Sequence, residues 1–234
     1  MIKEAIVLAG GFGTRLRPVI SDLPKPLAPI HGQPFLHYVF LHLKQHGITH
    51  VVLSVGYMAE KIQAHFGNEY LGMKVDYAIE REPLGTGGGI RLGMEQCTSE
   101  HVLAMNGDTL FNVPLTELFA KHLNGSAVAT LALRKVEEGS RYGTIQLRDE
   151  RITAFREKAP EFTGPQLING GVYAMHRATF MQHTKAGESF SIEYDYYGKN
   201  TSALHFNGFP CNGYFIDIGI PEDYARAQEE LTRM

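Results

Sequence analysis

Short apolar runs alternate with amphipathic stretches through the first half of the chain. Ala5 to Ala9 (AIVLA) is continuously apolar, as expected of a parallel strand covered on both faces. Pro34 to His46 carries Phe35, Leu36, Val39, Phe40 and Leu43 at helical spacing, with Pro34 suited to the first turn and Gly47 placed to stop it. The alternation then continues: His50 to Val55 predicts a strand, Ala59 to Phe66 a helix, Val75 to Ile79 a strand and Gly87 to Gln96 a helix. His101 to Met105 predicts a further strand that closes on Asn106 to Asp108. This rhythm is that of an α/β, doubly wound, mostly parallel sheet with helices on both faces, in which ligands gather at the carboxyl ends of strands.

After a helix predicted at Pro114 to Leu123 the pattern shifts to shorter alternating segments: Ala127 to Leu133, Gly143 to Gln146, Ile152 to Phe155 and Gly171 to Met175. These read as strands that extend the sheet and make it mixed. Helices are expected near Arg177 to His183 and Ile192 to Tyr197, a strand at Tyr214 to Ile216, and a last helix from Pro221 to Leu231. Pro221 in its first turn, followed by Glu222 and Asp223, suits a helix N-terminus.

With 234 residues and 44% hydrophobic composition, one domain spanning 1–234 is expected, and no linker interrupts it. A net charge of -3 gives no basic footprint, which excludes a nucleic-acid polymer from the expected partners. No apolar run approaches the roughly 20 residues of a membrane span, and the N-terminus enters a strand without a cleavable signal pattern. A cytoplasmic protein without a membrane partner is therefore expected. Cys97 and Cys211 are too few for a disulfide framework, and the eleven histidines show no zinc-ligand spacing.

The chemistry concentrates in the first thirty residues, where the opening strand runs into GGFGTRL (Gly10 to Leu16) and then PKPLAPI (Pro24 to Ile30). A phosphate needs backbone N–H groups aimed at it from close range, and a side chain at Gly10, Gly11 or Gly13 would obstruct that approach. On glycines alone a plain tight turn is an equal reading. Arg15 adds a planar fork suited to phosphate oxygens and Lys25 a compact point charge. Pro24 and Pro26 restrict the backbone around Lys25 and push it toward extended geometry. The loop lacks the Lys-Ser or Lys-Thr of a Walker A motif, and Leu16 stands where a dinucleotide fingerprint needs glycine.

GGFGTRL with PKP resembles the signature of the sugar-phosphate nucleotidyltransferases, also called sugar nucleotide pyrophosphorylases. EPLGTGGGI (Glu82 to Ile90), NGDTLF (Asn106 to Phe111), RYGTI (Arg141 to Ile145), FREK (Phe155 to Lys158), INGGVY (Ile168 to Tyr173) and FIDIGIPEDY (Phe215 to Tyr224) follow in the family's order. Phe215 departs from the Trp that many relatives carry before the second metal aspartate. The wording is most similar to members that join GTP to D-glycero-D-manno-heptose 1-phosphate, with muramic acid phosphate uridylyltransferases next.

The resemblance implies the nucleotide-diphospho-sugar transferase, GT-A-like fold, with a nucleotide-binding half at 1–112, a sugar-phosphate-binding half at 113–234 and no C-terminal β-helix. It implies that a sugar 1-phosphate attacks the α-phosphorus of a nucleoside triphosphate, assisted by Mg2+ on Asp108 and Asp217. Lys25 and Arg15 become the catalytic cations, and Leu8, Gly10, Gly11, Gly13, Thr14, Arg15, Glu80, Gly85, Gly87, Gly88 and Asp108 the nucleotide-binding set. Glu80 or Glu82 would select guanine through its N1–H and amine, although both read equally as exposed loop charges. Asn106, Gly143, Glu157, Lys158 and Asn169 become the sugar-phosphate wall. A homodimer is expected from the resemblance alone. A uridylyltransferase acting on N-acetylmuramic acid 1-phosphate or another sugar 1-phosphate, and a non-catalytic sugar-nucleotide sensor, are the alternatives. A sensor would be expected to lose Arg15, Lys25, Asp108 or Asp217, and all four are present.

Overall fold

The computed structural model describes residues 1–137, 143–156 and 164–231. The first part of the chain runs β1 (Glu4–Leu8), β2 (Pro29–Ile30), β3 (Gln33–Pro34), α1 (Phe35–Gln45), β4 (His50–Val55), α2 (Ala59–Phe66), β5 (Glu69–Tyr70), β6 (Met73–Ile79), α3 (Gly85–Met94) and β7 (His101–Asn106). It continues through β8 (Thr109–Phe111), α4 (Leu115–Asn124), β9 (Ala129–Val136), β10 (Thr144–Arg148), β11 (Arg151–Arg156), β12 (Gln166–His176) and α5 (Arg177–Gln182). A π-helical segment (Ile192–Gly198), β13 (Phe206–Cys211), β14 (Phe215–Asp217) and α6 (Pro221–Glu230) complete it.

Ten strands form one sheet in the order β10-β11-β13-β9-β12-β7-β1-β4-β6-β5. β6, β4, β1 and β7 are parallel, and β12 joins β7 antiparallel. The strand order reverses at β1, which has β4 on one side and β7 on the other, so the crevice beyond their carboxyl ends is where ligands bind in open sheets of this kind. The period-2 alternation of side chains divides the core between the two faces. Ala5 and Val7 of β1 join Leu103 and Met105 of β7 in a cluster with α1, α2, α4 and α6. Ile6, Val102 and Ala104 face the other way, onto α3, α5 and the π-helical segment. The expected mixed, doubly wound architecture is thus present.

Several local expectations are revised. Pro34 is extended (φ -60°, ψ 146°) and caps α1 from outside its first turn, because it closes the β2–β3 hairpin. Lys25 opens a short 3-10 turn, Lys25–Leu27, in place of the extended geometry that a following proline favours. Leu27 N–H to Pro24 O (2.8 Å) and Ala28 N–H to Lys25 O (3.0 Å) hold that turn. β13, for which no element was expected, carries Asn-Gly and Pro yet pairs in parallel with β9 inside the sheet. The strand expected at Gly171 to Met175 is an eleven-residue strand whose register against β9 shifts between Asn169 and Tyr173. No helix among the described residues is long and apolar enough to cross a membrane.

At the opposite end of the sheet a charged network ties β1, β4 and β6 together. The His50 ring lies between Glu4 Oε1 (2.9 Å) and Asp76 Oδ2 (2.8 Å), and Thr98 N–H donates to Glu4 Oε2 (2.9 Å). Burial pushes the Glu4 carboxyl up, but hydrogen bonds from Ser99, His50 and Thr98 outweigh it and hold the group below the ordinary range. The Lys74 hydrogen bond, against a smaller burial effect, holds Asp76 low as well. Depressed carboxylates stabilise the fold above their unfolded pKa and lose that contribution as pH falls through the folded value. Melting temperature should therefore hold steady near neutrality and fall progressively below the ordinary carboxylate value of 4.5. Thermal melts from pH 7 to pH 3 should show a shallower acid slope for Glu4→Gln than for the wild type.

Candidate active site

The glycine loop leaves the carboxyl end of β1 held by its neighbours. Ala9 N–H donates to Ser54 O (2.7 Å), and Gly107 N–H donates back to Leu8 O (2.8 Å). The three glycines have different reasons for being glycine. A Cβ on Gly10 would lie 2.8 Å from Glu80 Oε1 and 3.2 Å from Gly56 N. Gly13 has φ +58° and packs on Lys25 Cβ. Gly11 faces open space, so no protein atom requires glycine there. Protein packing demands Gly10 and Gly13. Thr14 and Arg15 follow on the exposed side of the loop.

Three charged side chains converge where the loop meets β7. Lys25 Nζ donates to Asp108 Oδ2 (2.7 Å) and Asp217 Oδ1 (3.3 Å). Asp108 follows β7, and Asp217 ends β14, whose antiparallel pairing with β8 sets Asp217 opposite Thr109. Ile218 N–H to Asp108 O (3.1 Å) locks the two aspartates side by side. Arg15 completes the cluster at Gly219, where a Cβ would stand 2.9 Å from Asp217 Oδ1, 3.1 Å from Arg15 Nη2 and 3.2 Å from Lys25 Nζ. Burial and the neighbouring Asp108 charge raise the Asp217 carboxyl above its ordinary pKa, only partly offset by Lys25. Asp108 and Asp217 present two hard oxygen donors side by side. That set suits magnesium, which commonly takes one or two carboxylates and completes its shell with phosphates and water.

Beside this cluster lies a cavity of about 480 Å³. Leu8, Gly10 and Gly11 form one wall, Glu80, Glu82 and Gly85 another, and Asn106 and Asp108 the end nearest Lys25. Phe12 and Tyr57 stand at the lip with ring centroids 5.7 Å apart, and the Arg17 guanidinium lies over Tyr57. Glu80 is mainly a brace: Ser54 Oγ donates to its Oε1 (2.8 Å) and Leu84 N–H to its Oε2 (3.1 Å). Glu82 is exposed at the rim. Gly87 and Gly88, expected at base and ribose, are buried and do not line the cavity. Gly87 N–H donates to Phe190 O (2.9 Å), and Gly88 packs against Leu84 and Glu188. Only Gly85 of the three reaches the cavity.

On the far side of β7, Asn106 is covered by Gly171, where a Cβ would lie 2.5 Å from its Nδ2. Asn106 also lines the cavity that holds the glycine loop. Asn169 is already engaged: its Nδ2 donates to Tyr173 Oη (2.6 Å) and Glu193 Oε1 (2.7 Å), and its Oδ1 accepts from Gly171 N–H (3.0 Å). Gly143 packs against Arg156 O and Tyr194 Oη. Glu157 and Lys158 lie outside the described residues.

The model of the family described as nucleotidyl transferase matches residues 4–234. The chain belongs to this nucleotidyl transferase family. It is 50% identical over 228 residues to the D-glycero-alpha-D-manno-heptose 1-phosphate guanylyltransferase of Aneurinibacillus thermoaerophilus, covering 97% of this chain and 98% of that one. The Campylobacter jejuni enzyme with the same activity is 41% identical over 222 residues, 94% of this chain and 96% of its own. The crystal structure of HddC from Yersinia pseudotuberculosis superposes with a TM-score of 0.86 at 32% identity, covering 98% of this chain and 100% of that one. HddC has also been solved in complex with GMP-PN, with a TM-score of 0.85.

Two contributors to this nucleotidyl transferase site carry little sequence signal. Ser54 lies within β4 and looks like any small polar residue, yet it anchors Glu80. Gly219 sits inside FIDIG, where its own role shows only once Arg15, Lys25 and Asp217 are seen around it. Gly219→Ala should displace this charged cluster and lower turnover on the order of tenfold to a hundredfold, the scale of a roughly 1 Å misplacement. Steady-state kinetics and a melting curve should show that loss with little change in melting temperature.

Proposed function

We propose that the protein transfers a guanylyl group from GTP to D-glycero-α-D-manno-heptose 1-phosphate, releasing pyrophosphate and forming GDP-heptose. One observation carries this reading: the Lys25 ammonium bridges Asp108 and Asp217 at the end of the glycine-loop cavity. The near-full-length likeness to two heptose 1-phosphate guanylyltransferases supports the choice of base and sugar.

A phosphate oxygen of the sugar 1-phosphate attacks the α-phosphorus, and the bond to the bridging oxygen of pyrophosphate breaks. Both reactants are anions, so catalysis rests on charge neutralisation and alignment. An ammonium has three donors. Asp108 and Asp217 take two of the Lys25 donors, which leaves one for an α-phosphate oxygen and fixes its direction. Arg15, exposed beside Gly219, offers its fork to the departing β- and γ-phosphates. Asp108 and Asp217 would hold magnesium, which when bound supplies charge neutralisation at the phosphates. The braced loop from Gly10 to Gly13 sets the triphosphate's approach, and Glu82, Gly85 and the Arg81–Pro83 rim border the base.

Pyrophosphate release should be measured for each nucleoside triphosphate against a panel of sugar 1-phosphates. GTP with heptose 1-phosphate is expected to give the highest kcat/KM. Release with UTP and N-acetylmuramic acid 1-phosphate, and none with the first pair, overturns the assignment. Release with no pair at all favours a sugar-nucleotide sensor. Chelation should abolish activity and added Mg2+ restore it. Lys25→Ala should reduce kcat by about a hundredfold or more, on the scale of a lost transition-state donor, while GTP affinity changes far less; unchanged turnover would remove Lys25 from the chemistry.

A further inference from the structure

Resting on the sugar 1-phosphate reading above, we propose that Glu193 binds the acceptor sugar's hydroxyls and so sets which end of the acceptor faces the reacting phosphorus. Glu193 lies in none of the motifs that mark the family resemblance, and its position becomes meaningful only in three dimensions.

The arrangement around Glu193 begins in β12. Between Asn169 and Tyr173 its register against β9 slips, since Asn169 is opposite Leu133 and Tyr173 opposite Leu131. Irregularities of this kind bend a strand and re-aim side chains, and they are common beside active sites. Here Gly171 adopts φ +71° within the slip, and Asn169 Oδ1 accepts from its N–H. Asn169 Nδ2 spends its two N–H groups on Tyr173 Oη and Glu193 Oε1. An amide with both donors committed has only remaining carbonyl capacity to offer a ligand. Asn169 therefore acts as a bracket, and what it holds in place is the Glu193 carboxylate.

The carboxylate is fixed from its own side as well. Ile192 N–H donates to Thr86 Oγ1 (3.0 Å), and Ser191 N–H donates to Asp195 Oδ2 (2.8 Å), which pins the start of the π-helical segment. Thr86 itself lines the nucleotide cavity. The segment is thus anchored at the boundary between the nucleotide and the ground beyond β7. π-helical turns of this sort occur frequently at functional sites.

The surroundings are unusual for a purely structural carboxylate. Burial raises the Glu193 pKa, with the Asn169 hydrogen bond only partly opposing it. Among the described residues no lysine or arginine forms a salt bridge with it. Beside it the Tyr197 ring is fully buried and its hydroxyl has no partner among the described residues. An acceptor carboxylate in this setting is satisfied by hydroxyl donors and is hostile to a phosphate.

That asymmetry gives the acceptor a direction. β7 lies between β1, which feeds the glycine loop, and β12, which carries Asn169. Asn106 at the end of β7 lines the nucleotide cavity and touches Gly171 of β12. A sugar 1-phosphate laid across the end of β7 would present its phosphate to Lys25 and its hydroxyls to Glu193. The reverse orientation would set two anions together at Glu193.

Glu193→Ala and Glu193→Gln, assayed with GTP and heptose 1-phosphate, test this. Removal of a hydrogen bond to a charged group should raise the sugar 1-phosphate KM by roughly tenfold to a hundredfold, with the GTP KM held within about twofold. Glu193→Gln keeps the volume and one acceptor, and should fall between the wild type and Glu193→Ala. Sugar KM unchanged in Glu193→Gln and Glu193→Ala, or equal shifts in the KM of both substrates, overturns the inference. If the wild type works only with a different sugar 1-phosphate, the heptose reading fails on its own, and the same comparison on that sugar decides the role of Glu193. Should Glu193→Ala fail to fold, the KM pair for Glu193→Gln alone decides it.

Discussion

One lysine between two aspartates organises the catalytic end of this molecule. Lys25 lies 192 residues before Asp217 and 83 before Asp108, so no local signal joins them. The short β8–β14 pairing does so, by setting Asp217 beside the residue that follows Asp108. Two carboxylates at that separation repel each other, which is visible in the raised Asp217 pKa, and the ammonium makes the arrangement tenable. The 3-10 turn between Pro24 and Ala28 carries that ammonium, and Gly13 leaves the space for its stem. Removing Lys25 leaves the two carboxylates facing each other without the ammonium between them.

The sheet explains why the site forms where it does. β1 and β7 are parallel neighbours at the point where strand order reverses, and their carboxyl ends open onto the same crevice. Core alternation along both strands keeps them rigid, with Val7 and Met105 on one face and Ile6 and Ala104 on the other. The loops can then be irregular without losing position. The antiparallel β12 does the complementary job by bringing a separate set of polar groups to the far side of β7.

Legibility in the sequence follows the range of the interactions. The α/β alternation, the positions of α1, α2 and α4, and the strands around β1 were readable because their signals are local periodicities. The pairing of Asp108 with Asp217 was reached only through the family resemblance. β13 was missed because Asn207, Gly208 and Pro210 carry turn chemistry, and tertiary pairing with β9 overrides it. At Gly87 and Gly88 a glycine required by a ligand and one required by packing on Phe190 or Glu188 look alike in one dimension. Glu193 carried no signal, since a carboxylate in a tyrosine-rich stretch acquires its meaning from a strand irregularity in β12.

Glu80 touches both the cavity and the protein's own framework. It takes the Ser54 hydroxyl and the Leu84 amide, and it fills the space that Gly10 leaves empty. Any lineage that altered this residue to change its preferred base would loosen the phosphate loop in the same step. The exposed rim at Arg81, Glu82 and Pro83 lines the same cavity without holding up the loop, so changes there leave the loop's support intact.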